Sequence, residues 1–144
     1  MPHTYEYPRP AVTVDTVVFG RGGDGVQVLL IQRDKPPFEG AWAAPGGFVD
    51  MHEELEVAAA RELREETGLV VGGLTQVGAF GGVNRDPRGR VIAVAFYVVV
   101  ERAEHEPNAA DDARDARWFP LDALPELAFD HDQVLARARA AAGL

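Results

Sequence analysis

Apolar and polar positions divide the chain into segments of two periods. Ala11-Val-Thr-Val-Asp-Thr-Val-Val-Phe19 is rich in β-branched residues and predicts a strand. Val26–Arg33 predicts a second, mainly apolar strand, and the glycine-rich Gly20–Gly25 between them predicts a turn, so the two should form a hairpin. The glycines do not read as a phosphate loop, which would want a following helix and a Lys-Ser/Thr signature. Leu55, Ala59 and Leu63 then mark one stripe of a helix starting at Glu54 or Leu55 and ending at Thr67, with Gly68 free to close it in the left-handed conformation. Val70–Gly82 predicts mainly strand, and Asn84–Arg90 a turn. Val91–Val100 is the most strand-like run, and its near-continuous apolarity predicts a central strand buried on both faces. A polar, acidic stretch leads to a short last strand at Arg117–Pro120. A terminal helix is predicted from Gln133 to about Ala142, capped by Asp130-His131-Asp132, with Val134 and Leu135 facing in. His131 reads as a capping or surface residue in preference to a substrate contact.

The 144 residues suit one domain with a single core, and no apolar run is long enough to cross a bilayer. The start has no basic segment followed by an apolar core, so no secretory signal is visible. With no cysteine there is neither a disulfide framework nor a thiolate zinc site, and a cytoplasmic location is the default. A net charge of −9 argues against a general nucleic-acid binder and leaves room for a small anionic substrate carried on metal ions.

The chemistry concentrates on the first helix. At about 100° per residue, Glu62, Glu65 and Glu66 fall within roughly a 100° arc, with Glu53 just before the helix. Side-by-side carboxylates repel one another, and a shared hard cation removes the conflict. Arg61, four residues before Glu65, can orient one of them. A solvated acidic face is the plain alternative.

The spacing bears on that choice. Gly47, five residues, Glu53, seven residues, Arg61-Glu62-Leu63-x-Glu65-Glu66-x-Gly68-Leu69 matches every defined position of the Nudix box, so the chain resembles a Nudix hydrolase. The resemblance implies an α/β (α+β) fold, a Nudix-type α/β/α sandwich with a mixed β-sheet, over 1–144 as a single Nudix hydrolase domain. It implies Mg²⁺ or Mn²⁺ held by Glu62 and Glu66, with Glu65 sharing and the Gly46 carbonyl as a further ligand. Glu53 would hydrogen-bond a metal-bound water or act as base, and Arg61 would hold the helix carboxylates in place. Enzymes of this kind often bring one more carboxylate from a distal loop, for which Asp111 and Asp112 are the candidates.

Substrate choice rests on other segments. Arg85, Arg88 and Arg90 form either a solvated hairpin tip or a clamp on phosphate. Arg33 and Phe38 lie in a Pro-rich loop that could approach a base or phosphate, whereas Trp42 reads as packing. The Arg85–Arg90 turn before an apolar strand is similar to bacterial ADP-ribose pyrophosphatase-like members, which together with the Phe129-Asp-His-Asp132 start of the last helix implies hydrolysis of ADP-ribose to AMP and ribose 5-phosphate. The alternatives are a nucleoside triphosphate pyrophosphohydrolase and a non-catalytic nucleotide-binding module. Expected partners are a small nucleotide, no nucleic acid and no membrane. The Val91–Val100 strand and the N-terminal arm with Tyr5 and Tyr7 are candidates for a homodimer contact.

Overall fold

In the computed structural model, residues 2–109 and 113–144 are described. Among them the order is β1 (Ala11–Gly22), β2 (Gly25–Arg33), β3 (Trp42–Ala43), β4 (Gly46–Phe48), α1 (Leu55–Thr67), β5 (Thr75–Phe80), β6 (Val91–Glu101), β7 (Ala113–Pro120) and α2 (His131–Ala142). The strands form one mixed sheet ordered β3-β2-β1-β6-β5, with β4 also paired to β1 and β7 to β2.

The spine is the parallel pairing of β1 with β6, from Ala11↔Val91 to Arg21↔Glu101. Alternate residues of these strands face opposite helices, as the two-residue period requires. Val17, Phe19, Ala93 and Ala95 pack with Val134, Leu135 and Ala138 of α2. On the opposite face Val18, Leu29 and Val98 pack with Leu63, and Val14 and Phe96 with Ala58 and Ala59, all from α1. The result is the expected sandwich.

The other edge of β1 is divided. Near its start Thr13, Val14 and Asp15 pair with β4, and near its end Phe19–Gly22 pair with β2. Pro45, Gly46 and Gly47 enter where the sheet splits, with the Thr16 N–H donating to the Pro45 carbonyl at 2.9 Å. The split places these bare backbones beside α1.

Several boundaries differ from those predicted. Pairing with β6 carries β1 through to Gly22, so only Gly23-Asp24 join the hairpin. Gly72 and Gly73, the latter at φ 68°, keep the segment after α1 irregular, and β5 begins only at Thr75. β7 starts at Ala113 rather than Arg117, because β2 offers partners as far as Arg33. Helix α2 starts at His131, and its N-cap Asp130 makes no capping bond, its carboxylate being engaged elsewhere. Gly68 does close α1, at φ 77°, with its N–H on the Arg64 carbonyl.

Candidate active site

Gly47, Glu62, Glu65 and Glu66 of the Nudix box line two adjoining cavities. The inner one, about 100 Å³, is lined by Asp15, Glu66, Arg85, Arg88, Phe129 and His131 among others. The outer one, about 450 Å³, is lined by Glu62, Glu65, Glu66, Arg33 and Arg88 among others. Gly46, Gly47, Phe48, Glu66, Arg33 and Arg88 belong to both, so anionic and cationic side chains face each other across the junction.

Glu66 is anchored on the backbone, its Oε1 accepting the Gly46 N–H at 2.7 Å. Burial pushes its pKa up to about 8, with the neighbouring Glu62 and Asp15 charges adding to the rise against the pull of that N–H. Glu62 is also raised, first by burial. A β-carbon built on Gly47 would lie 2.5–2.6 Å from the Glu62 carboxylate, so Glu62 occupies space that any other residue at 47 would fill. On Gly46 a β-carbon would run into the Val14 carbonyl and the Asp15 carboxylate.

Arg61 organises the remaining acids. Its guanidinium donates to both oxygens of Glu53, at 2.7 and 2.9 Å, to Glu62 at 2.8 Å and to Glu65 at 3.2 Å. It also reaches the Phe48 carbonyl at 3.2 Å, tying β4 to α1. The Arg61 hydrogen bonds hold the Glu53 carboxyl well below its usual range, at about 2. Glu53 and Arg61 line neither cavity.

The donor set fits a hard divalent cation. Glu62, Glu65 and Glu66 offer carboxylate oxygens on one side of the outer cavity, and Glu66 is held against the Gly46 backbone. Among the described residues no three His, Cys, Asp or Glu side chains are already gathered tightly enough to hold a metal. The Arg61 guanidinium instead gathers three carboxylates around itself, those of Glu53, Glu62 and Glu65, and leaves them with a net negative charge that a divalent ion would balance.

The predicted substrate residues separate. Arg33 reaches both cavities, its Nε donating to the Pro37 carbonyl at 2.7 Å and its guanidinium 4.9 Å from the Phe129 ring centre. Arg88 lies 5.0 and 5.4 Å from the ring centres of Phe48 and Phe129, bound to Asp86 at 2.7 Å. Arg85 faces the inner cavity but is buried and bidentate to Asp130, at 2.7 and 2.9 Å, so it is not a free clamp. Arg90 points away, donating to the Gly82 carbonyl, and lines neither cavity. Phe38 also lines neither; it packs at 4.9 Å on Phe129. Trp42 packs edge-on against Phe119 at 4.7 Å, as a structural residue should. Asp111 and Asp112 lie outside the described residues.

Asp15 is a residue of the site that sequence reasoning missed, and for Phe129, Asp130 and His131 it noted the segment but not the partners that each side chain takes. Phe129 and Phe38 are the non-glycine residues at positive φ among those described, at 54° and 59°. His131, expected at the surface or in a cap, is buried, because its ring accepts the Ala44 N–H at 3.1 Å and faces Asp15 at 3.5 Å.

Comparison with known proteins agrees with this geometry: the NUDIX domain model matches residues 9–138. The chain belongs to the Nudix family. It is 41% identical over 129 residues to the ADP-ribose pyrophosphatase of Methanocaldococcus jannaschii, covering 90% of this Nudix chain and 73% of that protein. It is 37% identical over 137 residues to the ADPR responsive transcriptional repressor NtrR of Acinetobacter baylyi, covering 92% of this chain and 54% of that one. The chain thus spans about half the length of the repressor. Among solved structures, the NUDIX domain of Shewanella oneidensis NrtR complexed with ADP ribose superposes with a TM-score of 0.85 at 32% identity, covering 94% of this chain and 90% of that one. Membership makes the chain a pyrophosphohydrolase with a divalent-metal requirement. Among the described residues no helix is long and apolar enough to cross a membrane.

Proposed function

We propose that the protein hydrolyses ADP-ribose to AMP and ribose 5-phosphate, consuming one water at the diphosphate, with Mg²⁺ or Mn²⁺ as the working ion. The observation that carries this reading is the junction of the two cavities, where Glu66 on the Gly46 backbone faces Arg33 and Arg88. A diphosphate bridging two groups matches two joined cavities better than a terminal triphosphate does. The likeness to an ADP-ribose pyrophosphatase and to an ADP-ribose-bound Nudix domain supports the same substrate.

Glu62, Glu65, Glu66 and the Gly46 carbonyl would hold the ion, which when bound would neutralise the diphosphate and acidify a water. Arg33 and Arg88 supply positive charge from the opposite wall. Arg88 gives a planar fork suited to phosphate once Asp86 releases it. Arg61 keeps the helix carboxylates apart and oriented. Glu53, clamped by Arg61, is a proton acceptor only when that clamp loosens, so its contribution is to fix Arg61. A carboxylate from Asp111 or Asp112 remains a proposal for the base.

The test is a panel of ADP-ribose, sugar nucleotides, dinucleotides and nucleoside triphosphates assayed with Mg²⁺, with products identified. Preference for a triphosphate would overturn the substrate and leave the reaction class standing. Tight binding of ADP-ribose with no turnover would instead favour a sensor module, the reading suggested by similarity to the repressor. The same panel with a DNA-binding assay separates these outcomes. A single Nudix domain over these residues, with no nucleic-acid partner, is the reading we favour, the second part of it on the net charge of −9.

A further inference from the structure

The Ala44–Gly46 segment joins two very short strands, yet it carries the backbone on which Glu66 rests. Ala44 is buried, so its N–H needs a partner; left unpaired, a buried donor is costly. That partner is the Nδ1 of His131, 87 residues away, at 3.1 Å. A ring nitrogen can accept only when it carries no proton, so the ring proton resides on Nε2. Nε2 faces the Asp15 carboxylate at 3.5 Å, whose Oδ2 has no other hydrogen-bond partner among the described residues. Asp15 in turn pairs with Gly46 in the β1–β4 register, and its carboxylate stands where a Gly46 side chain would be. The ring is therefore oriented from both sides, by residues flanking Gly46.

The loop has further restraints. The Thr16 N–H reaches the Pro45 carbonyl, and Trp42 exchanges backbone bonds with Glu126 and Ala128 just before α2. Between Trp42 and Pro45, His131 supplies the side-chain bond, and two residues further on the Gly46 N–H meets Glu66 at 2.7 Å. A backbone displacement of about 1 Å near a reacting centre can cost on the order of 100-fold in rate.

We propose that His131 is a positioning residue for the hydrolytic site: through Ala44 it sets the Gly46 backbone against Glu66, and so sets the metal affinity of the site. This rests on the assignment of Glu66 and Gly46 to the ion.

The experiment compares two near-isosteric variants. In His131→Asn the amide oxygen replaces Nδ1 and can still accept from Ala44; in His131→Gln the polar atoms replace Nε2, and that acceptor is lost. Mn²⁺ binding by calorimetry or electron paramagnetic resonance is measured on each, with kcat and KM for ADP-ribose and the melting temperature. The expected result is a tenfold or larger loss of Mn²⁺ affinity in His131→Gln, of the size seen when groups supporting metal ligands are removed. kcat should fall in parallel while KM stays within about twofold, and His131→Asn should retain Mn²⁺ affinity within about threefold. Equal behaviour of the two variants, or losses that follow the melting temperature alone, would overturn the proposal. Because Mn²⁺ binding is read directly, a wild-type protein that binds Mn²⁺ but does not cleave ADP-ribose would refute the substrate assignment and leave the positioning role testable.

Discussion

Gly47→Ala tests how tightly the Glu62 carboxylate is set. The added methyl would sit 2.5–2.6 Å from the carboxylate atoms of Glu62, whereas non-bonded carbon contacts settle near about 3.5 Å, so the carboxylate must retreat by roughly an ångström. Glu62 ends a flexible side chain, and Gly47 is not among the glycines at positive φ, so the backbone can accept alanine. The retreat strains the 2.8 Å pair with Arg61, worth about 0.5–1 kcal/mol at this partly exposed position. Replacing glycine returns about as much by narrowing the unfolded ensemble. Net stability should barely move, with the melting temperature staying within about 4 °C of wild type. Activity should not be spared: displacing a proposed ligand by about 1 Å predicts roughly a 100-fold fall in kcat, equivalent to about 2.7 kcal/mol. Steady-state kinetics at saturating Mg²⁺ and a thermal melt on the same preparation give both numbers. Wild-type turnover would show that the position of Glu62 is irrelevant to the reaction, and an unfolded variant would show that the carboxylate cannot give way.

Other outcomes follow from neighbouring contacts. Gly46→Ala should fail to fold, because its methyl meets the fixed Val14 carbonyl as well as the Asp15 carboxylate; soluble yield and circular dichroism decide this. Glu66→Gln should keep the fold and lower kcat by roughly two decades or more. In metal-free buffer, burial holds Glu66 protonated up to about pH 8 in the folded protein, while the unfolded chain releases that proton near 4.5. The folded state then binds more protons across that window, so stability should fall as pH rises from about 4.5 to 8, and Glu66→Gln should flatten the slope in urea melts. Asp130→Asn leaves the buried Arg85 charge with a weaker partner and should cost about 3 kcal/mol in urea denaturation, whereas replacing both with apolar residues should recover much of it.

What could be read in advance was what lies close in sequence. Gly47 to Leu69 is contiguous, so its spacing alone aligned Glu62, Glu65 and Glu66, and Gly68 closed the helix as expected. Strands β1, β2 and β6 announced themselves because β1 is buried along most of its length and β2 and β6 are buried or half-buried at all but one end residue each. Side-chain roles set by distant partners stayed hidden. Nothing near Arg85 shows that Asp130, 45 residues on, will bind it, nor does anything near His131 point to Ala44. Arg85, Arg88 and Arg90 look like one cluster, but the intervening turn sends them to three different partners, Asp130, Asp86 and the Gly82 carbonyl.

The pairing of β1 with β6 has a consequence for how the chain acquires its fold. Each of its contacts spans 80 residues, from Ala11↔Val91 onward, so none can form until the later strand exists. Loop-closure entropy must be met before these contacts reward it, which makes such topologies slow to fold. On the ribosome, α1 would leave the exit tunnel while its sheet is still missing the strand that completes it. The hydrolytic helix is thus assembled early and supported late, and a nascent chain ending before Val91 should bind neither metal nor nucleotide.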